Sequence, residues 1–366
     1  MSLITKILLF PFAALYGAII WLRNWLYKTG FIGSTDFALP VISVGNLSMG
    51  GTGKTPMIGY LIELLYPDYA VGVLSRGYGR KTSGYLSVQT GHTALQVGDE
   101  PLMTKLKYPF VQVSVGEQRV IAIPRLLSDH PETRVILLDD AFQHQSVRPD
   151  INILLTSYRR PFYDDRILPL GTLREFISGK DRAQIIVMTK CPPDLSEPEQ
   201  QAIVQRIAPA GSQQIFFSTI EYGTPYNVMD PQEKWWLNTE DTVMLVTAIA
   251  DAGPLKEQVE KQAGAVYHME FSDHHMFEEG ELNSIYTKYP GQRKWLTTEK
   301  DAVRLMLHKE WLIQKGITVF CVPVRTRFIG RDAAHFSKTV KGFVDYFYTP
   351  EERGQPDETP APADNA

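Results

Sequence analysis

Residues 45–55, Gly-Asn-Leu-Ser-Met-Gly-Gly-Thr-Gly-Lys-Thr, constrain the fold of this chain more than any other stretch. They follow a short apolar run at 40–44 and lead into a sequence of helical period. A glycine-rich turn between a strand and a helix aims backbone N–H groups at an anion, at the positive end of the helix dipole. That arrangement belongs to open α/β sheets, in which ligands sit beyond the carboxyl ends of the strands. Ser48, Met49, Gly50, Gly51, Thr52, Gly53, Lys54 and Thr55 are therefore expected to bind a nucleotide. Lys54 would reach the β and γ phosphates, and the Thr55 hydroxyl would hold Mg²⁺. Ser48 stands where this pattern usually opens with glycine.

Further runs rich in Val and Ile lie at 70–74, 111–115, 135–138, 151–155, 185–188 and 214–218. Most are separated by enough chain for a crossover helix, which predicts a mostly parallel sheet with helices on both faces. A second series at 243–247, 266–271, 294–296 and 317–322 alternates with helical stretches near 255–262, 279–288 and 300–307. The expected fold class is α/β. A P-loop NTPase-type lobe occupies 29–221, a polar linker 222–238, and a smaller α/β lobe 239–348. The cleft between the lobes is the natural ligand site.

Composition adds exclusions. Thirty-seven Lys and Arg face 41 Asp and Glu, a formal charge of -4. That balance excludes a protein dominated by phosphate-backbone binding, so no nucleic-acid partner is expected. Cys191 and Cys321 provide neither a disulfide framework nor metal-site spacing. The ends depart from the average. Residues 349–366 carry four prolines, five acids and one Arg, the composition of a disordered acidic tail. The first 35 residues hold Lys6, Arg23 and Lys28 and no acid. Within them the uncharged run 7–22 would make a helix about 24 Å long, against a hydrocarbon core of about 30 Å. Trp21, Trp25 and Tyr27 gather at its basic end, as aromatic residues do at a membrane interface. No small-residue cleavage site follows. Residues 1–28 are expected to form a membrane-associated helix, with burial in the core as the alternative.

Asp139 and Asp140 follow the apolar run 135–138, where a metal-side acid for a nucleotide belongs. Seven segments then occur in order: 44–56 (VGNLSMGGTGKTP), 75–80 (SRGYGR), 98–101 (GDEP), 139–144 (DDAFQH), 168–175 (LPLGTLRE), 271–274 (FSDH) and 298–303 (TEKDAV). Together they resemble the tetraacyldisaccharide 4'-kinases, over roughly residues 1–345. Ala141 replaces the family's usual Gly in DDGFQH, and Thr172 its Pro in LPxGPLRE. The resemblance implies two α/β/α lobes, ATP as donor with Mg²⁺, and the 4'-hydroxyl of a tetraacyldisaccharide 1-phosphate as acceptor, giving lipid IV-A. It also implies a lipid disaccharide partner and residence at the cytoplasmic face of the bacterial inner membrane, with no obligate protein partner.

The resemblance places the proton acceptor on Asp99, assisted by His274. A carboxylate orients an imidazole and stabilises its charged form, and His titrates near physiological pH. His275 is an equally basic neighbour, and the matched motif is what selects His274. With Asp99 in the first lobe and His274 in the second, lobe closure would assemble the site. Asp139 and Asp140 are expected to hold Mg²⁺ and its water, with Glu100 as a further metal-side acid. Arg174 is the candidate for neutralising charge on the transferring phosphoryl group. Ser75, Arg76, Tyr78 and Arg80 would hold the lipid headgroup by charge-assisted hydrogen bonds. Gln143, His144 and Glu175 complete the expected substrate side. Three rivals fit less well. A membrane-associated ATPase of the partitioning or transport type has a signature Lys where Met49 stands, and a GTPase needs Asp where Pro192 stands. A membrane-tethered nucleotide-binding scaffold leaves Asp99, His274 and DDAFQH without work.

Overall fold

The computed structural model describes residues 3–349, so the expected acidic tail lies outside the described residues beyond Thr349. The path begins with α1 (Leu3–Lys28), β1 (Val41–Asn46), α2 (Lys54–Leu65), β2 (Val71–Ser75) and β3 (Leu86–Ser87). α3 (Ala94–Val97), α4 (Asp99–Lys107), β4 (Gln112–Val115), α5 (Arg119–Asp129) and β5 (Val135–Asp139) follow. β6 (Ile151–Ser157), β7 (Ile185–Thr189), α6 (Glu197–Ile207) and β8 (Gln214–Tyr222) end the first passage.

Among the described residues these strands belong to a nine-stranded sheet, ordered β14-β8-β7-β6-β1-β5-β2-β4-β3, in which β14 (Val324–Phe328) arrives from late in the chain. The strands from β8 to β4 run parallel, whereas β14 and β3 close the two edges antiparallel. β1, β2, β5 and β7 are buried along their whole length. Strands covered on both faces read as continuous apolar runs, which is why they were legible as such. Parallel register brings Val44 beside Asp139, so the nucleotide loop and the acids leave the sheet at the same rim.

The smaller lobe holds β9 (Tyr226–Asn227), β10 (Thr242–Thr247), α7 (Gly253–Glu260), β11 (Ala265–Glu270) and α8 (Glu279–Lys288). It continues with β12 (Lys294–Thr298), α9 (Glu299–Leu305), α10 (Lys309–Gln314) and β13 (Thr318–Val322). Its sheet is ordered β11-β10-β12-β13-β9, parallel except for β9.

Two expected boundaries move. The linker 222–238 is not a free connection, because Tyr226 and Asn227 pair with Cys321 and Phe320 and Trp235 is buried. The smaller lobe also stops short of 348. β14 pairs with β8, and α11 (Asp332–Tyr348) sinks Phe336, Val340 and Val344 into the core of the larger lobe. Phe336 packs 5.3 Å from Phe216 and 4.4 Å from Phe328, ring centre to ring centre. Aromatic burial of this size outweighs sequence contiguity, so the larger lobe is built from two separate segments.

α1 stands apart from both cores. At 26 residues it is about 39 Å long, longer than the uncharged run suggested. Only 11% of its apolar window is buried, so burial in the core is excluded, and the helix is long and apolar enough to cross a membrane. It touches the body on one side, where Gly17 faces the Phe176 ring and Tyr16 Oη donates to the Arg174 carbonyl at 2.8 Å.

Candidate active site

The nucleotide loop is held from below and from the side. Gly53, the residue preceding α2, has φ 84, a left-handed conformation that glycine adopts without Cβ strain. Asn46 donates to the Ser48 carbonyl at 2.7 Å and accepts from Lys54 Nζ at 3.3 Å. Thr189, at the end of β7, donates to the Thr52 carbonyl at 2.8 Å. Met49 N–H donates to the Thr172 carbonyl and Arg174 N–H to the Leu47 carbonyl, lacing segment 168–175 to the loop. Met49 to Thr55 line a cavity of about 1070 Å³ between the lobes. Ser48 does not reach that wall: it is buried and bridged to Leu173, so it shapes the loop from behind.

The two acids beneath the loop sit in different environments. Asp139 is buried, accepts from Ser75 Oγ at 3.2 Å, and has its Oδ1 without a hydrogen-bond partner. Burial, then the nearby charges of Glu100 and Asp140, push its carboxyl up to about 7. An orphaned, desolvated carboxylate oxygen of this kind is a fit for a cation. For Asp140, burial opposes ionisation, but Lys54 and Arg174 outweigh it and hold the carboxyl below the usual range. Lys54 lies 3.5 Å away, and Arg174 Nη1 is 3.2 Å from both carboxylate oxygens. The left-handed residue in this turn is Asp140, with φ 48, so Ala141 replaces glycine without backbone strain.

The opposite wall comes from the smaller lobe. His274 has φ 60 and donates its backbone N–H to the Ala248 carbonyl at 3.2 Å. Arg304 secures the same turn through the carbonyls of Ala248 and His275 and an ion pair with Asp301. His274 Nδ1 meets Asp99 Oδ2 at 3.2 Å across the lobe boundary. Its Nε2 lies 3.1 Å from Lys300 Nζ, which is also 3.1 Å from Glu100 Oε1. An ammonium can only donate, so Nε2 is the acceptor and the proton is assigned to Nδ1, facing Asp99. Burial would raise the Asp99 pKa, yet the His274 hydrogen bond and the charges of Lys300 and Arg304 lower it. Burial would likewise lower that of Lys300, but Glu100, Asp99 and Asp273 raise it. His275 is engaged elsewhere, 2.8 Å from Glu281 and stacked on Phe271. Geometry thus separates the two imidazoles that the residues alone did not.

The expected headgroup residues divide. Arg76 and Tyr78 are exposed on the cavity wall, and the Tyr78 ring meets His274 edge-on at 5.0 Å. Ser75 lines it too, beside Asp139. Gln143 bridges the Asn46 carbonyl and Glu175 at 2.8 and 3.0 Å. His144 also faces the cavity; burial, then Arg119 and Arg76, push its pKa down to about 4. Arg80 and Glu175 are corrections. The Arg80 side chain is 2% exposed and paired with Glu117 and the Gly84 carbonyl, so it braces its own loop. Glu175 is fully buried and engaged by Arg182 at 2.8 Å, Gln143 at 3.0 Å and Asn24 of α1 at 3.1 Å. It fastens the apolar helix to the body instead of touching a substrate.

Residues 5–344 match the family model described as tetraacyldisaccharide-1-P 4'-kinase. The chain belongs to that family. A tetraacyldisaccharide 4'-kinase of Flavobacterium johnsoniae is 44% identical over 329 residues, covering 90% of this chain and 94% of its own. Its counterpart in Bacteroides thetaiotaomicron is 39% identical over 352 residues, 92% of each chain. A crystal structure of LpxK from Aquifex aeolicus, an "apo" form in complex with ATP, shares the fold with a TM-score of 0.71. At 30% identity the match covers 93% of this chain and 99% of that one. The seven-motif resemblance to the tetraacyldisaccharide 4'-kinases and the P-loop α/β fold class are both borne out.

Sequence reasoning missed several residues of the kinase-family site. Lys300 lay inside the matched TEKDAV segment but received no role. Tyr16 and Arg23 of α1 also line the cavity. Polar residues interrupting an otherwise apolar helix were the signal that would have found them.

Proposed function

We propose that this chain transfers the γ-phosphoryl group of ATP to the 4'-hydroxyl of a tetraacyldisaccharide 1-phosphate, forming lipid IV-A. The observation that carries the reading is the contact of His274, which lines the same cavity as Lys54, Asp140 and Arg174, with the buried Asp99. The loop N–H groups and Lys54 hold the phosphates, and Arg174 neutralises charge as the γ-phosphoryl group moves. The acceptor oxygen attacks phosphorus while its proton passes to the Asp99–His274 pair, and the bond to the β-phosphate oxygen breaks. Lys300 keeps His274 facing Asp99 throughout. Thr55 and one or two of the carboxylates of Asp139, Asp140 and Glu100 would hold Mg²⁺, which would supply charge neutralisation on the nucleotide phosphates. Among the described residues no three acids or imidazoles converge as a cage. That suits Mg²⁺, which is usually bound by one or two carboxylates together with substrate phosphates and water.

Arg76, Tyr78, Gln143 and His144 face the remaining space and are assigned to the disaccharide headgroup. The acyl chains call for a lipid surface, and α1 presents one side to it: Ile7, Leu8, Phe10, Phe12 and Leu15 are each more than 60% exposed. Arg23 and Lys28, at the end of α1 nearest the site, put that end at the cytoplasmic face under the positive-inside rule.

Full-length protein given [γ-³²P]ATP and detergent-dispersed disaccharide monophosphate should label the lipid. ATP hydrolysis without lipid labelling would overturn the reading in favour of an ATPase. Deleting residues 1–28 should release the protein from membranes, and full retention would remove α1 from the account.

A further inference from the structure

Glu299 is the first residue of α9 and lies within the matched TEKDAV segment, yet the mechanism above gives it no work. It is buried beside the place where the chain changes lobes. Among the described residues the chain makes that passage twice, from β8 to β9 and back from β13 to β14. The two crossings run side by side. Tyr222 pairs with Val324, Tyr226 pairs with Cys321, and Gly223 N–H donates to the Pro323 carbonyl at 2.9 Å. A Cβ on Gly223 would stand 2.9 Å from Pro323 Cγ, so glycine is what lets the crossings touch. A two-stranded ribbon has little stiffness of its own, and the angle between the lobes depends on what braces it.

Glu299 supplies that brace together with Lys107, the last residue of α4. Its Oε2 accepts from Lys107 Nζ at 2.8 Å and from Val324 N–H at 3.2 Å, and its Oε1 accepts from Tyr226 Oη at 3.4 Å. Lys107 Nζ also donates to the Val324 carbonyl at 3.3 Å. One ion pair between the lobes therefore holds both backbone polar groups of the residue that opens β14. The next residue of α9, Lys300, reaches Glu100 at the other end of α4, two turns or about 10 Å away. The two pairs have opposite polarity, acid to base and then base to acid, so sliding α9 along α4 would set like charges together. Buried ion pairs add little net stability; what this one can add is a single arrangement. We propose that Glu299 and Lys107 are positioning residues for phosphoryl transfer. They hold the hinge at Val324 so that the smaller lobe presents His274 and Lys300 to Asp99 and Glu100 in one orientation. Both act through the angle between the lobes and not on the reacting atoms. The inference rests on the kinase reading above.

Two readouts on the full chain in detergent test it: lipid phosphorylation kinetics, and the distance between spin labels on Thr90→Cys of the larger lobe and Asn283→Cys of the smaller. Both positions are exposed, whereas the native Cys191 and Cys321 are buried. Glu299→Gln keeps the shape and an acceptor for Val324 but deletes the charge, and Lys107→Met deletes its partner. Each should lower kcat about 10- to 100-fold, as small misplacements of reacting groups do, and leave KM for ATP within about twofold. Each should also broaden the inter-lobe distance distribution. Lys107→Arg should recover most of kcat and the narrow distribution. The Lys107→Met, Glu299→Gln double variant should lose no more than the worse single one. A raised KM for ATP at unchanged kcat would make the pair a nucleotide contact and overturn the inference. Wild-type kcat in both single variants would overturn it too, as would a lowered kcat with an undisturbed distance distribution. Wild-type protein that labels no lipid would sink the kinase reading alone, and a broadened distribution in Glu299→Gln would still support the brace.

Discussion

The two halves of the site are built in different ways. The nucleotide half comes from one continuous stretch, β1, its loop and α2, closed by the ends of neighbouring parallel strands. The acceptor half is assembled across the lobe boundary: His274 and Asp99 are 175 residues apart in the chain, and Lys300 reaches Glu100 over 200. The first depends on local geometry and the second on how two lobes sit together. Binding of nucleotide and turnover should therefore respond to different substitutions.

Lys54→Ala strikes the local half and should have the largest effect, lowering kcat/KM by about 10³-fold through the loss of one charge on the transferred group. Steady-state kinetics with ATP varied checks it, and a drop under tenfold would break the assignment. Asp99→Asn and His274→Ala strike the assembled half. Each should lower kcat by about 10²- to 10³-fold while ATP affinity stays near wild type. His275→Ala should leave kcat close to wild type, since its partner is Glu281. Loss of turnover in His275→Ala with His274→Ala unaffected would show that the cross-lobe contact is not the working one.

The same division sets how much could be read in advance. β1, the loop and the buried parallel strands were legible because each is a contiguous pattern with one physical cause. The return of β14 and α11 to the larger lobe was not, because it depends on Phe216 lying more than 100 residues earlier. Arg80 and Glu175 were misread for a related reason. A charged residue in a motif looks like a ligand contact, and only the fold shows that Glu117 and Arg182 already satisfy them. Family resemblance alone singles out His274 in the sequence, and the fold puts that imidazole against Asp99 while His275 meets Glu281.

Lys300→Met probes whether the lobes must be fastened for the acceptor half to work. It removes a charge-assisted hydrogen bond to His274 and the ion pair to Glu100, and should lower kcat about 10- to 100-fold. Its distinguishing mark is ATP affinity nearly unchanged beside weakened turnover. Lys300→Arg, which keeps the charge, should recover part of it, and equal damage in both variants would argue for shape over charge. Asn24→Ala is milder. It cuts the hydrogen bond that Asn24 donates to the buried Glu175 and the one it accepts from Gln145, about 1 kcal/mol each. It should slow lipid phosphorylation a few-fold with little change in nucleotide binding. Parallel losses in both would mean that α1 supports the loop directly.

The smallest effect at neutral pH belongs to His144, and it tests whether the nucleotide lobe carries the acid sensitivity of the fold. Burial and the flanking Arg119 and Arg76 push its folded pKa down to about 4, from an ordinary value of 6.5. Below 6.5 the unfolded chain binds a proton that the folded chain refuses, so stability falls as pH drops from 6.5 towards 4 and is flat above. His144→Gln removes that proton difference. The variant should melt close to wild type at pH 7.5 and lose less than wild type between pH 6.5 and 4.5, as followed by thermal unfolding. Identical pH slopes would show that His144 is protonated in the fold as readily as outside it. It would then act on the headgroup as a cation, beside Arg76, and not as the neutral hydrogen-bonding group its surroundings favour.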